Sequence, residues 1–308
     1  QLMSMSRKLQ YQRLVESGAL GRLPFIQIDS LDKENARVVF QGTEGAYGQA
    51  AMHQFFGDDV NCFHVRTFRD AMEAIEEGSA DYAVLPIENS SAGPVNEMYD
   101  LLDEFENYIV AETILPVVHT LSGLPGTKLS EIKRVYSKAE ALMQTTRFLD
   151  DHSDWQRISV VNTAIAAKKV LEDQDKAQAA VCSTYAAKLH GLEVLVDEIN
   201  DEEDNSTRFI VVTNQKIFLK DASKISIEFE LPHESGSLYN ILSHFIYNDL
   251  NMTKIESRPV EGKQWEYRFF VDFDGNLEDA AVKNAIRGLR EEARNLRILG
   301  NYSIDGQI

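Results

Sequence analysis

From residue 37 onward, short β-branched and aromatic runs alternate with stretches whose apolar residues recur at helical spacing. "ARVVFQ", "VNCFHV" and "DYAVLPIE" read as strands. "GAYGQAAMHQFFG" and "FRDAMEAIEEG" read as helices, the second with Phe68, Met72 and Ile75 on one face. This strand–helix rhythm predicts a largely parallel sheet covered by helices. The extended segment "YIVAETILPVVHTLSG" then carries the chain to a second α/β set, with strands over 134–137, 158–161 and 179–182 and helices over 138–150 and 164–171. The run "IVVT" after Arg208 predicts a buried strand returning to the first set. Two α/β lobes joined by two extended crossings form the layout of a hinged, ligand-binding cleft.

At residue 223 the pattern changes to strand, helix, two strands, helix and strand within about 80 residues, the ferredoxin-like unit. A sheet with helices on one face leaves the other seeking a partner, so dimerisation is expected. Before the first lobe, residues 4–17 read as a polar, weakly amphipathic helix, followed by a linker containing Gly and Pro. The expected boundaries are 1–35 for helix and linker, 36–215 for the two-lobed domain and 223–303 for the C-terminal domain. The lobes within the middle domain are 36–113 with 204–215, and 114–203.

Charge narrows the partners. The chain of 308 residues carries 49 acids against 31 bases, net −18, which argues against nucleic acid or an anionic membrane surface. An anionic substrate would need a locally positive pocket. The two cysteines, Cys62 and Cys182, sit in apolar runs; buried reduced thiols point to a reducing cytoplasm. No apolar stretch approaches a membrane span. The N-terminus lacks a signal-peptide core and looks like the cut end of something longer.

Four motifs could carry chemistry. "GTEGAYG" joins a strand to a helix and is either an anion site at a helix N-terminus, built on Gly45, Ala46 and Tyr47, or only a tight turn. "PIENSSAG" ends a buried strand with Glu88, Asn89, Ser90 and Ser91, the usual ligand position in an open α/β sheet; a simple strand end or helix cap would look the same. "YSKAEALMQT" places Ser137 as N-cap with Glu140 three residues on, a capping box, and Gln144 beyond; Thr163 reads as a second cap. In "DEEDNSTRF", Thr207 and Phe209 share one face of a regular strand and Arg208 the other. Thr207 and Arg208 could both reach one pocket only where the strand is irregular; the alternative is an Asx-type turn entering the strand, with Arg208 paired to Asp201 or Glu202. No metal or nucleophile-elbow motif is present in the sequence. The residues alone reach a two-lobed anion-binding protein with a regulatory-looking appendix, and stop short of a reaction.

The motifs together resemble those of prephenate dehydratases. "NSTRF" is similar to the Asn-x-Thr-Arg-Phe signature, "PIENSSAG" to Pro-x-Glu-Asn-Ser, "GTEGAYG" to the first strand–helix turn, and "YSKAEALMQT" to the Ser-His-Pro-x-x-Leu-x-Gln-Cys helix. Region 223–302 resembles the attached ACT domain, with "GSLYNIL" and "IESRP" as its two motifs. "MSMSRKLQYQRLVESG" resembles the last helix of a chorismate mutase, which would make the chain the dehydratase portion of a bifunctional enzyme. Departures are Lys138 and Ala139 in place of His-Pro, Thr145 in place of Cys, Gly48 in place of Ser or Thr, and Ser237 in place of Ala.

The resemblance implies a periplasmic-binding-protein-like catalytic domain plus the ferredoxin-like ACT domain. It implies decarboxylative dehydration of prephenate to phenylpyruvate in phenylalanine biosynthesis, with no cofactor or metal. Thr207 would assist the leaving hydroxyl, and Asn89 and Gln144 would orient the substrate. Glu88, Ser90, Ser91, Gly45, Ala46, Tyr47, Ser137, Thr163, Arg208 and Phe209 would line the substrate site. L-phenylalanine would act as effector at Gly236, Ser237, Leu238 and Asn240 and at Glu256, Ser257, Arg258 and Pro259, in a homodimer or homotetramer paired through ACT domains. Arogenate dehydratase is the near alternative, and a non-catalytic carboxylate-binding protein the distant one.

Overall fold

A computed structural model describes residues 23–231 and 234–304. The helix expected over 4–17 lies outside them. The chain packs as two compact units. One consists of Lys33–Val95 with Thr113–Phe209, and the other includes Asn96–Glu112 and the chain from Ile210 onward.

The first unit holds the second expected lobe whole and residues 36–95, 113 and 204–209 of the first, whereas 96–112 and 210–215 fall in the other unit. In the first lobe, the parallel strands Arg37–Gln41, Asn61–Val65 and Tyr82–Asn89 have Arg37–Gln41 at the centre. Helices Tyr47–Phe56 and Phe68–Glu76 cover them, burying Ala51, Met52 and Phe55 from one and Ala71, Met72 and Ile75 from the other. Thr67 starts the second helix with a reciprocal box to Asp70. The other lobe is a five-stranded sheet ordered Glu193–Val196, Thr120–Gly123, Gln178–Cys182, Arg134–Ser137, Gln156–Ser159. Its last three strands run parallel, and Thr120–Gly123 runs antiparallel to both neighbours. Apolar clusters fill both faces, one around Val170 and Ala180, the other around Val135, Leu149 and Val181.

Three local expectations fail in this lobe, each through hydrogen bonding. The helix over 138–150 is two short helices, Ala139–Met143 and Thr146–Asp150. Thr145 Oγ1 bonds back to Ala141 O at 2.9 Å, and Asp201 caps the second helix by accepting from Thr146 N–H and Arg147 N–H at 2.9 Å each. The Ser137 box does not form. Lys138 is the N-cap residue, and the buried Ser137 hydroxyl donates to Val181 O at 2.6 Å. The cap of helix Thr163–Asp173 is Asn162, whose Oδ1 accepts from Ile165 N–H at 2.7 Å, rather than Thr163.

In the second unit, strands Lys224–Glu230, Met252–Pro259, Tyr267–Asp274 and Arg294–Tyr302 alternate with helices Ser237–Tyr247 and Ala280–Glu292 in the ferredoxin-like order. The sheet is antiparallel, with Lys224–Glu230 between Tyr267–Asp274 and Arg294–Tyr302. Alternation sends Ile225, Ile227 and Phe229 into the core with Phe245 and Ile286 of the two helices. Glu228 and Glu230 fall on the opposite face, yet are buried.

Within the unit, a helix packs against that opposite face. Helix Asn96–Glu104 belongs to the same unit, although its residues were expected in the first lobe. Tyr99 packs edge-on to Phe270 with ring centroids 5.0 Å apart, Asp100 pairs bidentately with Arg258, and Asp103 pairs with Arg268. Among the described residues no helix is long and apolar enough to cross a membrane, and Cys62 and Cys182 are both free thiols.

Candidate active site

Within the first unit a cavity of about 450 Å³ is lined by Asn89, Gln144, Thr207 and Phe209, together with Ala46, Tyr47 and Thr163. Seven expected site residues therefore meet around one space. His119, Lys138, Glu140 and Asn162 also line it, although the sequence reading gave none of them a site role. Loop position explains the omission of His119, which lies between two strands where no periodicity marks it.

Asn89 organises the floor. Its Oδ1 accepts from Ser91 N–H at 2.9 Å and Ala92 N–H at 2.8 Å, an Asx turn where the strand ends. Two backbone donors on one oxygen fix which end of the amide is which, so Nδ2 points the other way. It donates to Thr207 Oγ1 and Asn205 Oδ1, both at 2.9 Å. Thr207 Oγ1 is thus an acceptor from Asn89, which leaves its own O–H proton to be given elsewhere. Asn205, the first residue of "NSTRF", has no site role in the sequence motifs, and its place here comes from Asn89.

Gln144 ends the first short helix, and the helix break aims it. Its N–H donates to Glu140 O at 2.9 Å and its carbonyl accepts from Asp201 N–H at 2.7 Å, so the backbone is held on both sides. Its side-chain Oε1 lies 3.0 Å from His119 Nε2. Burial lowers the His119 pKa below its ordinary value, opposed by the Gln144 contact and the Glu140 charge. Burial pushes the Tyr47 phenol far up, so it stays protonated.

Other expected residues lie elsewhere. Strand alternation turns Arg208 away from Thr207, and its guanidinium pairs with Glu88 at 3.0 Å; neither residue lines the cavity. Pairing of Arg208 with Asp201 or Glu202 is likewise replaced: Asp201 caps a helix and Glu202 accepts from Ser91 Oγ at 2.8 Å. Ser90 Oγ bridges to the start of the returning strand, accepting from Ser206 N–H at 2.9 Å and donating to Asp204 O at 3.1 Å. Gly45 N–H is taken by Gln49 Oε1 at 2.7 Å. The charged residues lining the cavity are Lys138 and Glu140, whose side chains meet at 2.7 Å.

In the second unit a cavity of about 380 Å³ is lined by Ser237, Leu238, Glu234, Trp265, Tyr267 and Phe269 among others. Gly236, at φ 86, is the N-cap residue of helix Ser237–Tyr247, a backbone setting that favours glycine. Asn240 and Glu256–Pro259 do not line this cavity, and Arg258 is engaged by Asp100.

A family model for prephenate dehydratase matches residues 38–217. The chain is 37% identical over 282 residues to the chloroplastic arogenate dehydratase/prephenate dehydratase 2 of Arabidopsis thaliana, covering 87% of this chain and 73% of that protein. It is 32% identical over 299 residues to the bifunctional chorismate mutase/prephenate dehydratase of Escherichia coli K12, covering 95% and 78%. The structure of a prephenate dehydratase from Arthrobacter aurescens in complex with L-Phe superposes with a TM-score of 0.80 at 33% identity, over 87% of this chain and 89% of that one. With the family model spanning more than half of its length, the chain belongs to the prephenate dehydratase family, carbon–oxygen lyases of aromatic amino-acid biosynthesis, and carries the ACT-like region at its C-terminus.

Proposed function

We propose that the cavity dehydrates and decarboxylates arogenate as well as prephenate. In either substrate the ring carboxylate leaves as CO2, its bonding pair aromatises the ring, and the ring C–O bond breaks. The departing oxygen must acquire a proton or a strong hydrogen bond, help worth roughly 10²–10⁴-fold. The observation that carries the reading is the Asn89–Thr207 bond. Because Asn89 Nδ2 donates to Thr207 Oγ1, the Thr207 O–H is left to donate to the leaving hydroxyl. A threonine hydroxyl is a weak acid, so it acts by polarisation and position.

The Lys138–Glu140 pair supports arogenate over prephenate alone. Arogenate ends in an ammonium and a carboxylate, complementary to that pair, whereas prephenate ends in a keto acid. The 37% identity to an arogenate dehydratase/prephenate dehydratase points the same way. Mass spectrometry of the full chain with each substrate should detect phenylalanine from arogenate and phenylpyruvate from prephenate. Absence of both products would refute the lyase assignment for this cavity. Glu140→Gln should raise KM for arogenate and leave KM for prephenate unchanged; an equal change in both would remove the pair from substrate reading.

We also propose that L-phenylalanine inhibits the reaction from the C-terminal domain. This is supported by the second cavity at Ser237 and Leu238 and by the relative solved in complex with L-Phe. Calorimetry of phenylalanine binding tests it. Loss of binding in Gly236→Val is expected, because the residue sits at positive φ, and unchanged binding refutes the site.

A further inference from the structure

His119 joins three parts of the cavity wall. Its backbone N–H donates to Asn200 Oδ1 at 2.6 Å and its carbonyl accepts from Ile199 N–H at 3.0 Å. The residue is 2% exposed. Its Nδ1 lies 3.1 Å from the Tyr47 hydroxyl and its Nε2 3.0 Å from Gln144 Oε1, while the Tyr47 O–H donates to Val118 O at 2.9 Å.

We propose that His119 is a positioning residue whose proton decides which end of the Gln144 amide faces the substrate. The proposal rests on Gln144 touching substrate in the reaction above. A phenol has one proton. If Tyr47 gives it to Val118 O, the phenol oxygen can only accept, and His119 Nδ1 must carry hydrogen. A neutral imidazole then has a bare Nε2, which cannot pair with a carbonyl oxygen. Two arrangements satisfy every group. An imidazolium donates at both nitrogens, holds Gln144 Oε1 and sends the Gln144 amino group into the cavity. A neutral ring instead accepts from that amino group, and the amide turns its oxygen to the substrate.

The neutral arrangement suits the chemistry. An oxygen from Gln144 accepts a hydrogen bond from the substrate hydroxyl and so turns that hydroxyl's lone pairs toward the Thr207 donor. An amino group would instead hold the carboxylate that must leave, stabilising the ground state. The groups facing His119 are consistent with a neutral ring. Burial disfavours the cation, Glu140 opposes it only in part, and Lys138 lines the same cavity. Tyr47 stays protonated, and Cys182, pushed up to about 11 by burial, is a neutral thiol beside it.

Nuclear magnetic resonance of the 15N-histidine-labelled full chain reads the tautomer without substrate. A His119 ring protonated at Nδ1 and bare at Nε2 at pH 7.5 is expected, and an Nε2-protonated ring would overturn the proposal. Two variants then separate positioning from support. His119→Gln places its amide near the Nε2 position and can still pair with Gln144, whereas His119→Asn reaches only toward Tyr47. His119→Gln should stay within about tenfold of wild-type kcat/KM and lose the acid limb of the pH profile, while His119→Asn should fall by roughly 10²-fold. Equal losses in both variants with the acid limb intact would mean His119 only supports the wall. Should wild type turn over neither substrate, the dehydratase reading falls, while the tautomer measurement still decides the His119–Gln144 pairing.

Discussion

The candidate cavity and the C-terminal sheet treat charge in opposite ways. The cavity is lined by two amides, a hydroxyl, a phenol and a buried imidazole whose pKa burial lowers, with the Lys138–Glu140 pair half in solvent. On the second unit's sheet, Glu228 and Glu230 are 1% and 3% exposed and meet Arg297, Arg268 and Lys263. The difference follows from what each region must do. A reaction that expels a carboxylate gains nothing from a fixed cation on that group, so orientation falls to groups with no net charge. A sheet that must hold one particular helix against its polar face gains selectivity from charges that tolerate no other partner.

The sharpest way to break the comparison is in the sheet. Arg268 touches Glu230 and Asp103 at once. Arg268→Met leaves Glu230 buried with only Lys263, and loss of one member of a buried pair costs roughly 3–5 kcal/mol. A large fall in Tm with unchanged kcat per folded molecule is expected. A Tm within a degree or two of wild type would mean that the charges there are idle.

In the cavity, the comparison predicts loss of turnover with stability kept. Thr207→Ala should lower kcat by ~10²-fold or more with little change in KM, the signature of a contact made mainly in the transition state, and Thr207→Ser should retain more activity than Ala. Asn89→Asp sharpens the point. It keeps shape and Oδ1 but removes the donor to Thr207, whose proton would then be drawn to the new carboxylate. A comparable kcat loss is expected although Thr207 is untouched. Near wild-type kcat in Asn89→Asp would show that Asn89 does not orient the hydroxyl.

Arg208 lies between the two regimes, a charge beside the cavity but not lining it. Arg208→Lys should leave KM within about twofold and lower Tm slightly, because a point charge replaces a planar fork on Glu88. A large rise in KM with both substrates would restore Arg208 as a substrate anchor.

Much of this is legible in the sequence. Strand and helix order came from periodicity, because Val38–Phe40 and Ile225, Ile227 and Phe229 are buried where their pattern places them. Strand alternation likewise separated Thr207 and Phe209 from Arg208. What stayed hidden depends on partners distant in sequence. The break between Met143 and Thr146 requires Asp201 as a cap, and nothing near residue 145 announces it. Helix Asn96–Glu104 buries Met98, Tyr99, Leu101 and Leu102, but its docking onto Arg258 and Arg268 is a matter of surface charge that periodicity does not weigh. His119 carries no pattern at all, since its importance comes from the two side chains its ring nitrogens meet.

The smallest expected effect is a slope. Glu228 is buried, and that burial raises its pKa from 4.5 to about 7, with Glu230 adding to the rise and Arg297 opposing it. Arg297 Nη1 lies 3.0 Å from Oε1, yet neither Glu228 oxygen receives a hydrogen bond. Below about pH 4.5 folded and unfolded chains both hold the proton, and its stabilisation is fully present. Between there and about pH 7 the folded state keeps a proton that the unfolded state has lost, so stability falls as pH rises. Above about pH 7 this contribution is gone. Glu228→Gln carries a neutral side chain of the same shape at every pH, and Arg297 keeps its bonds to the Asp103 and Phe105 carbonyls. Denaturant melts at pH 5, 6, 7 and 8 should show a shallower decline in the variant, with the variant gaining on wild type as pH rises. Parallel pH profiles would mean that Arg297 holds Glu228 ionised throughout, and the charge contrast between cavity and sheet would then be complete.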